Sequence, residues 1–147
     1  MMSKFLKALA LGVVLVVGVA GCAATPPSNT VALSASLTGA SEVPANATPG
    51  TGSLEATFNK DTSVLTWKLS YSGLTGPATA AHFHGPAVAG SNAGVVIPFA
   101  SPASPIEGQA TLTAAQAADL LAGKWYANVH TAANKGGEIR GQVTPKM

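Results

Sequence analysis

All three histidines of this 147-residue chain lie in two short segments whose composition is typical of β-strands. Residues 81–85 read AHFHG, and residues 125–131 read WYANVHT. Imidazole is the commonest metal ligand in proteins. Because successive side chains of a strand point to opposite faces, His82 and His84 are predicted to share a face, with Cα atoms about 6.5–7 Å apart. Both rings can then reach one ion, and His130 from another strand would complete a site of three nitrogens.

The residue types limit the metal that such a site would hold. Ligation by imidazole alone suits copper or zinc, and the order of divalent affinities favours copper over zinc. Three protein ligands leave an open position for water, a substrate or an added carboxylate such as Glu42. The alternative is that the histidines are structural, satisfied by hydrogen bonds to Asn128 or to backbone carbonyls. Both interpretations stay open on the sequence.

No other motif in the sequence indicates an enzyme. The carboxylates are dispersed along the chain, without the spacing of an acid–base pair. A Gly-x-Ser-x-Gly elbow and the glycine-rich loops that cradle phosphates are absent. Arg140 lies two residues from Glu138 on the same predicted strand face, which is typical of a surface ion contact worth little. Hydrolase, nucleotide enzyme and dehydrogenase interpretations therefore find no support.

The N-terminus has the pattern of a targeting segment. Lys4 and Lys7 precede an uncharged apolar run, residues 8–20, which is too short to span a bilayer comfortably. The run ends in VAGC at residues 19–22, which resembles a bacterial lipobox. The resemblance implies cleavage before Cys22 and attachment of lipid to that cysteine. We therefore expect a signal peptide at 1–21, a lipidated anchor and tether at 22–30, and one domain at 31–147.

The predicted lipid sets the location and the partners of the protein. Cys22 is the only cysteine, so the mature domain has no disulfide despite an oxidising compartment. The residue directly after Cys22 is alanine and not aspartate, which in a diderm host is the pattern of outer-membrane sorting. A monoderm host would hold the protein at the cell surface. Removing Lys4 and Lys7 leaves six basic and six acidic residues, without the basic stripe of a nucleic-acid binder. The predicted partners are the membrane, through the lipid, and a metal ion; the sequence names no protein partner.

Alternation of apolar and polar residues predicts about eight strands and one short helix in the mature domain. The strand segments are 31–37, 52–59, 63–71, 78–84, 94–99, 106–112, 124–131 and 138–144. The helix follows Thr113, which has capping-box spacing to Gln116, and ends before Gly123. The pattern predicts an all-β domain, an antiparallel Greek-key barrel or sandwich. In the segment with the third histidine, Trp125, Ala127 and Val129 are predicted to point inward, leaving His130 toward a surface or rim.

The segments, taken together, resemble the chordin-type (CHRD) domain, which occurs in bacterial lipoproteins and in the animal protein chordin. The matching motifs are LTG (37–39), EVP (42–44), AHFHGPA (81–87), LLAG (120–123), WYANVHT (125–131) and GEIRGQ (137–142). They cover nearly the whole mature chain in order. The resemblance implies an immunoglobulin-like or superoxide-dismutase-like β-barrel, and no settled biochemical activity.

A more distant resemblance, to copper/zinc superoxide dismutases, bears on the chemistry. Those enzymes also carry a His-x-His strand, a late histidine, and a glycine-rich turn leading to an arginine before the final strand. The residues that match in order and kind are His82, His84, His130 and Arg140. The resemblance implies that the histidines are copper ligands and that the Arg140 guanidinium attracts an anion near the metal. The chain lacks a fourth histidine for the bridging position, extra ligands for zinc and a cysteine pair.

Three functional hypotheses follow, in decreasing order of support. The first is an envelope-anchored domain that binds a metal ion, copper before zinc, through His82, His84 and His130, for sequestration, delivery or a redox task. The second is a metal-free adhesion or protein-interaction module tethered to the envelope. The third is a superoxide-dismuting enzyme, which would need a redox-active metal and a working Arg140.

Overall fold

Eight strands and one short helix make up residues 29–147, the part of the chain described by the computed structural model. The strands are β1 (Thr30–Thr38), β2 (Thr51–Asn59), β3 (Val64–Ser72), β4 (Ala78–His84), β5 (Val95–Pro98), β6 (Ile106–Thr111), β7 (Trp125–Thr131) and β8 (Ile139–Pro145), with helix α1 (Ala114–Leu121) between β6 and β7. The predicted signal peptide, Cys22 and the tether up to residue 28 lie outside the described residues.

The strands form one antiparallel sheet in the order β5-β4-β7-β8-β1-β2-β3-β6. The sheet curves into a nearly closed barrel, and β5 and β6 are the two strands at its ends. This confirms the predicted all-β antiparallel fold, and each predicted strand segment is present with its ends shifted by at most one residue. Because β4 lies between β5 and β7, the two histidine-bearing strands are direct neighbours although 40 residues separate them in sequence.

The β2–β3 hairpin shows how local sequence builds one side of the barrel. Its strands pair along their full length, and the apolar residues of the alternating pattern are 0–8 % exposed from Leu54 to Phe58 and from Leu65 to Leu69. The turn forms because Asn59 Oδ1 accepts hydrogen bonds from the backbone N–H groups of Asp61 and Thr62, at 2.9 and 3.0 Å. The predicted hairpin is confirmed.

Helix α1 has the predicted start and stop signals. The Thr113 side chain accepts a hydrogen bond from the backbone N–H of Gln116, and the Gln116 side chain accepts one from the backbone N–H of Thr113. Gly123 follows the helix with a φ of +71°, a conformation that favours glycine. Leu120 is fully buried in the barrel core. Within residues 29–147 no helix is long and apolar enough to cross a membrane.

Strand β7 differs from the expectation that one of its faces is the core and the other the surface. Trp125, Ala127 and Val129 point into the barrel and are at most 1 % exposed, as predicted. On the opposite face Tyr126 and Asn128 are also buried, at 2 % and 1 % exposure. The reason is that chain segments outside the sheet cover this face; the Tyr126 hydroxyl, for instance, is hydrogen-bonded to Ala93 in the β4–β5 loop. The covered polar layer contains His84, and the half-buried His82 and His130 lie at its edge.

Candidate metal centre

The three histidines come together on the outer face of strands β4 and β7. The antiparallel register places His82 opposite Asn128, and His84 opposite Tyr126. His130 lies two residues beyond Asn128, on the same face of β7. One ring nitrogen from each histidine lies within 4.8 Å of those of the other two. The sheet therefore brings together the three residues that the spacing singled out, and this group could hold a metal ion.

Backbone carbonyls fix the orientation of two of the rings. His130 Nδ1 lies 2.8 Å from the carbonyl oxygen of Lys135, and His84 Nδ1 lies 2.9 Å from that of Ala93. Since a carbonyl only accepts, each Nδ1 carries the hydrogen and donates it, which leaves Nε2 of each neutral ring with an available lone pair. An N–H donated to a backbone carbonyl is the usual arrangement of a metal-ligating histidine.

The two Nε2 atoms differ in their hydrogen-bond partners. His84 Nε2 is buried and has no hydrogen-bond partner among the described residues. His130 Nε2 lies 3.0 Å from His82 Nδ1 and 3.0 Å from Asn128 Oδ1. The single lone pair of Nε2 can accept from His82, so the amide oxygen of Asn128 faces it without gaining a donor. A cation among these atoms would satisfy acceptors that the protein leaves unpaired.

Burial favours the neutral form of two of the histidines, His82 and His84. Burial lowers the pKa of His82, and the neighbouring His130 and His84 lower it further. Burial also lowers the pKa of His84, outweighing the hydrogen bond to Ala93, which acts in the opposite direction. A metal competes with protons for imidazole nitrogen, so depressed pKa values leave the site ready to bind a metal at neutral pH.

Tyr126 and Arg140 form a stacked support beside His84. The Tyr126 ring is parallel to the His84 imidazole, with centroids 4.8 Å apart and an interplanar angle of 1°. The Arg140 guanidinium carbon lies 3.9 Å from the centroid of the same Tyr126 ring. These contacts restrict the His84 ring from the side, while Ala93 holds its Nδ1.

Arg140 is buried and all of its nitrogens are engaged. It is 4 % exposed, and Nε donates to Glu42 Oε2 at 3.0 Å. Nη1 donates to the carbonyl oxygen of Ser91 at 3.1 Å, and Nη2 to Asn92 Oδ1 at 2.5 Å. The predicted surface ion contact between Arg140 and Glu138 is wrong, because β8 turns Arg140 under the β4–β5 loop and Glu138 has other partners. The guanidinium thus holds residues 91–92, directly before the Ala93 carbonyl that orients His84.

Glu138 is fully buried among threonines. Its carboxylate accepts hydrogen bonds from the hydroxyls of Thr48 (2.6 Å), Thr75 (2.8 Å) and Thr131 (2.5 Å), and from the backbone N–H of Thr75 (2.7 Å). Burial raises the pKa of this carboxyl, but these hydrogen bonds outweigh it and lower the pKa to about 2. Glu138 therefore ties three separate chain segments together at the end of the barrel that carries His130.

Glu42 lies against Arg140 and is not among the residues that converge with the histidines. Its side chain is 2 % exposed, and its second oxygen, Oε1, has no hydrogen-bond partner within the described residues. Burial raises the pKa of Glu42, although Arg140 acts in the opposite direction. The structure thus places Glu42 and Arg140 together as an ion pair beside the histidine group.

Sequence reasoning missed the groups that orient the histidine rings. The carbonyls of Ala93 and Lys135 carry no residue-type signal, since any amino acid supplies a carbonyl. Strand alternation puts Tyr126 on the same face as His130, but it does not indicate the stack of Tyr126 with His84. Gly137 is a sequence feature that could have indicated the close approach of Glu42 to β8. Its φ is +133°, and a Cβ there would collide with the Glu42 carboxylate.

An eight-stranded antiparallel barrel with three convergent histidines on its outer face defines an all-β domain with a candidate metal centre. The chain belongs to the CHRD domain family, whose model matches residues 33–143. The match spans every strand from within β1 to within β8 and includes the histidines, Glu42 and Arg140. No curated protein and no solved structure matches the chain. The predicted CHRD resemblance is confirmed.

Proposed function

We propose that this CHRD domain binds one copper ion through His82 Nδ1, His84 Nε2 and His130 Nε2, with the His82 hydrogen moving from Nδ1 to Nε2 as the metal replaces the hydrogen bond to His130. The observation that carries the proposal is the pair of hydrogen bonds from His84 Nδ1 to Ala93 and from His130 Nδ1 to Lys135. They leave both Nε2 atoms as acceptors, and the buried His84 Nε2 has no partner within residues 29–147. A structural histidine would be expected to use both nitrogens when buried.

The chemistry of the donor set favours copper over zinc. Imidazole nitrogens suit both metals, and the order of divalent affinities places copper above zinc. The three histidines offer such nitrogens within 4.8 Å of one another.

The proposed setting is the cell envelope. Membership of the CHRD family favours an extracytoplasmic module, and the VAGC motif at residues 19–22 supports lipid attachment at Cys22. A copper ion held on the outside of the barrel by an anchored domain suits sequestration, delivery or a redox task. The dismutase hypothesis gains less, because each of the three Arg140 nitrogens donates to a protein partner and the Glu42 carboxylate already pairs with its charge.

The proposal is tested by titrating the protein with copper and zinc, with calorimetry and electron paramagnetic resonance read together. We expect one tight copper per chain, a nitrogen-coordinated spectrum and weaker zinc. Loss of a single outer hydrogen bond to a ligand lowers metal affinity about 10–100-fold, so His84→Ala is expected to lower it by at least about 100-fold. Gln109→Ala, an exposed change on β6, is the matched control and should leave the affinity unchanged. Equal affinities for His84→Ala and the unmodified chain would contradict the proposal.

A second candidate, a metal-free interaction module, is supported by exposed apolar side chains at the β5 end of the sheet. Val95 in β5 is 51 % exposed, and Val88 in the preceding loop is 64 % exposed. Strand β5 ends the sheet, and an end strand can pair with another chain. Two results together would favour this function. Copper would bind with an affinity weaker than micromolar, and the chain would bind an envelope protein through a contact that Val88→Ser and Val95→Ser abolish.

A further inference from the structure

One open cavity lies directly against the candidate metal centre. Its volume is about 450 Å³, and its lining residues are Thr79, Ala80, His82, His130, Thr131, Ala132 and Lys135. Sites for small molecules typically have volumes of about 300–1,000 Å³, so this cavity is large enough for an organic ligand. A second cavity, beside Glu42, has a volume of about 170 Å³ and falls below that range.

The cavity gives the histidine group an open side and a closed side. His82 and His130 are half-buried and line the cavity. His84 is 8 % exposed, does not line it, and lies under the β4–β5 loop. An ion held by the three histidines would therefore have its open coordination position toward the cavity, because protein covers the opposite side.

The charge of the cavity favours an anion. Its lining contains no carboxylate, and Lys135 is its only charged residue. Lys135 is exposed and forms no ion pair with any described residue, while its backbone carbonyl holds His130. Lys135 thus supplies an unpaired cation at the open side of the centre, whereas the charge of Arg140 is neutralised by Glu42 on the closed side.

The walls favour an organic anion over a bare inorganic one. Ala80 and Ala132 contribute methyl groups, and the volume exceeds the space that a two- or three-atom anion fills. Burial of apolar ligand surface against such walls favours binding in proportion to the area removed from water. An inorganic anion gains nothing from that contact.

We propose that the cavity binds a small organic carboxylate with a compact apolar body, whose carboxylate oxygen occupies the open position of the copper ion and whose charge also faces Lys135. This inference rests on the proposed copper site. Small organic carboxylates are then the exogenous ligands of the centre, and Lys135 attracts the anion.

The test uses the full-length chain loaded with one equivalent of copper, benzoate as the organic probe and azide as the inorganic probe. Copper binding is first measured by calorimetry in each variant. Benzoate is then titrated while the paramagnetic resonance and visible spectra of the copper are recorded. We expect saturable spectral changes with benzoate, and an affinity for benzoate about fivefold weaker in Lys135→Gln, the size expected for one exposed charge. Lys60→Gln, which removes an exposed lysine at the β2–β3 turn, is the matched control and should match the unmodified chain.

A variant that narrows the cavity separates organic from inorganic ligands. Ala132→Leu lies at an exposed position, so the fold should tolerate it. We expect it to weaken benzoate at least tenfold and to leave azide within twofold. Copper bound with no response to benzoate would overturn this inference while the copper site stands. A response to azide alone, or equal benzoate affinity in Lys135→Gln and Lys60→Gln, would overturn it as well. Absence of tight copper binding would overturn the proposed function and this inference together.

Discussion

The two sides of the barrel differ in how far their ion pairs are exposed to solvent. On the outer face of β3 and β6, Lys68 and Glu107 form an ion pair of 3.1 Å with side chains that are 59 % and 64 % exposed. On the outer face of β8, Arg140 and Glu42 form a pair of 3.0 Å with side chains that are only 5 % and 2 % exposed. The two N–O distances are nearly equal, so the pairs differ in their exposure to solvent and not in their geometry. Water screens the first pair, whereas the second must be satisfied entirely by protein.

The covered side owes its burial to chain segments that leave the sheet. Asn46, in the β1–β2 connection, donates to the Glu138 carbonyl at 3.0 Å. Asn92, in the β4–β5 loop, donates to the Val43 carbonyl at 3.3 Å. The β1–β2 connection and the β4–β5 loop therefore cover the polar face of β7 and β8. The histidine group lies at the edge of this covering layer. The difference teaches that the same barrel can offer an inert, solvated face and a built polar site, depending on what covers the strands.

The largest expected effect comes from breaking the buried pair. Arg140→Met keeps an unbranched side chain but leaves the Glu42 carboxylate buried without its partner. We expect the free energy of unfolding to fall by about 3–5 kcal/mol. Urea unfolding monitored by tryptophan fluorescence measures it. Lys68→Met, the matched change in the exposed pair, should shift the same free energy by no more than about 1 kcal/mol. Equal effects of the two variants would show that burial does not separate the two sides.

The same variant tests the proposed metal centre. Arg140 holds residues 91–92, and Ala93 directly after them orients His84. At temperatures where Arg140→Met stays folded, copper affinity is expected to fall about 10–100-fold, the range found when an outer contact to a metal ligand is lost. An unchanged copper affinity in the folded variant would show that Arg140 is not needed to position Ala93 against His84.

The next effect in size is the pH dependence contributed by Glu138. Its pKa is lowered to about 2 from the ordinary 4.5. A depressed carboxyl pKa stabilises the fold fully above the ordinary value, and this stability is lost as pH falls from 4.5 toward 2. The difference corresponds to about 3 kcal/mol. Unfolding free energies measured between pH 7 and pH 2 should fall by about this amount more in the unmodified chain than in Glu138→Gln. Parallel curves for the two proteins would contradict the assignment.

The uncovered side could be predicted closely from sequence, and the covered side only in part. Strands such as β2 and β3 are specified by alternation and by one asparagine-led turn, which are local features. The shared face of His82 and His84 follows from strand geometry alone. The neighbourhood of His130 required the order of strands in the sheet, which the sequence supplied only through a family resemblance. The buried Arg140–Glu42 pair joins residues 98 apart through loops whose paths no periodicity encodes, so Arg140 was assigned to the surface.

The smallest expected effect tests how closely the covering layer packs at two adjacent glycines, Gly136 and Gly137. A Cβ at Gly137 would collide with Glu42 Oε1 and lie 2.8 Å from Asn128 Nδ2, and the φ of +133° disfavours any side chain. Gly136→Ala is the matched control, because a Cβ there meets nothing within 4 Å. We expect Gly137→Ala to lower the free energy of unfolding by about 1–3 kcal/mol, and Gly136→Ala by less than about 0.5 kcal/mol. Thermal unfolding of both variants measures the difference. Because Asn128 contacts His130, Gly137→Ala should also weaken copper binding, whereas a purely local strain would leave it unchanged.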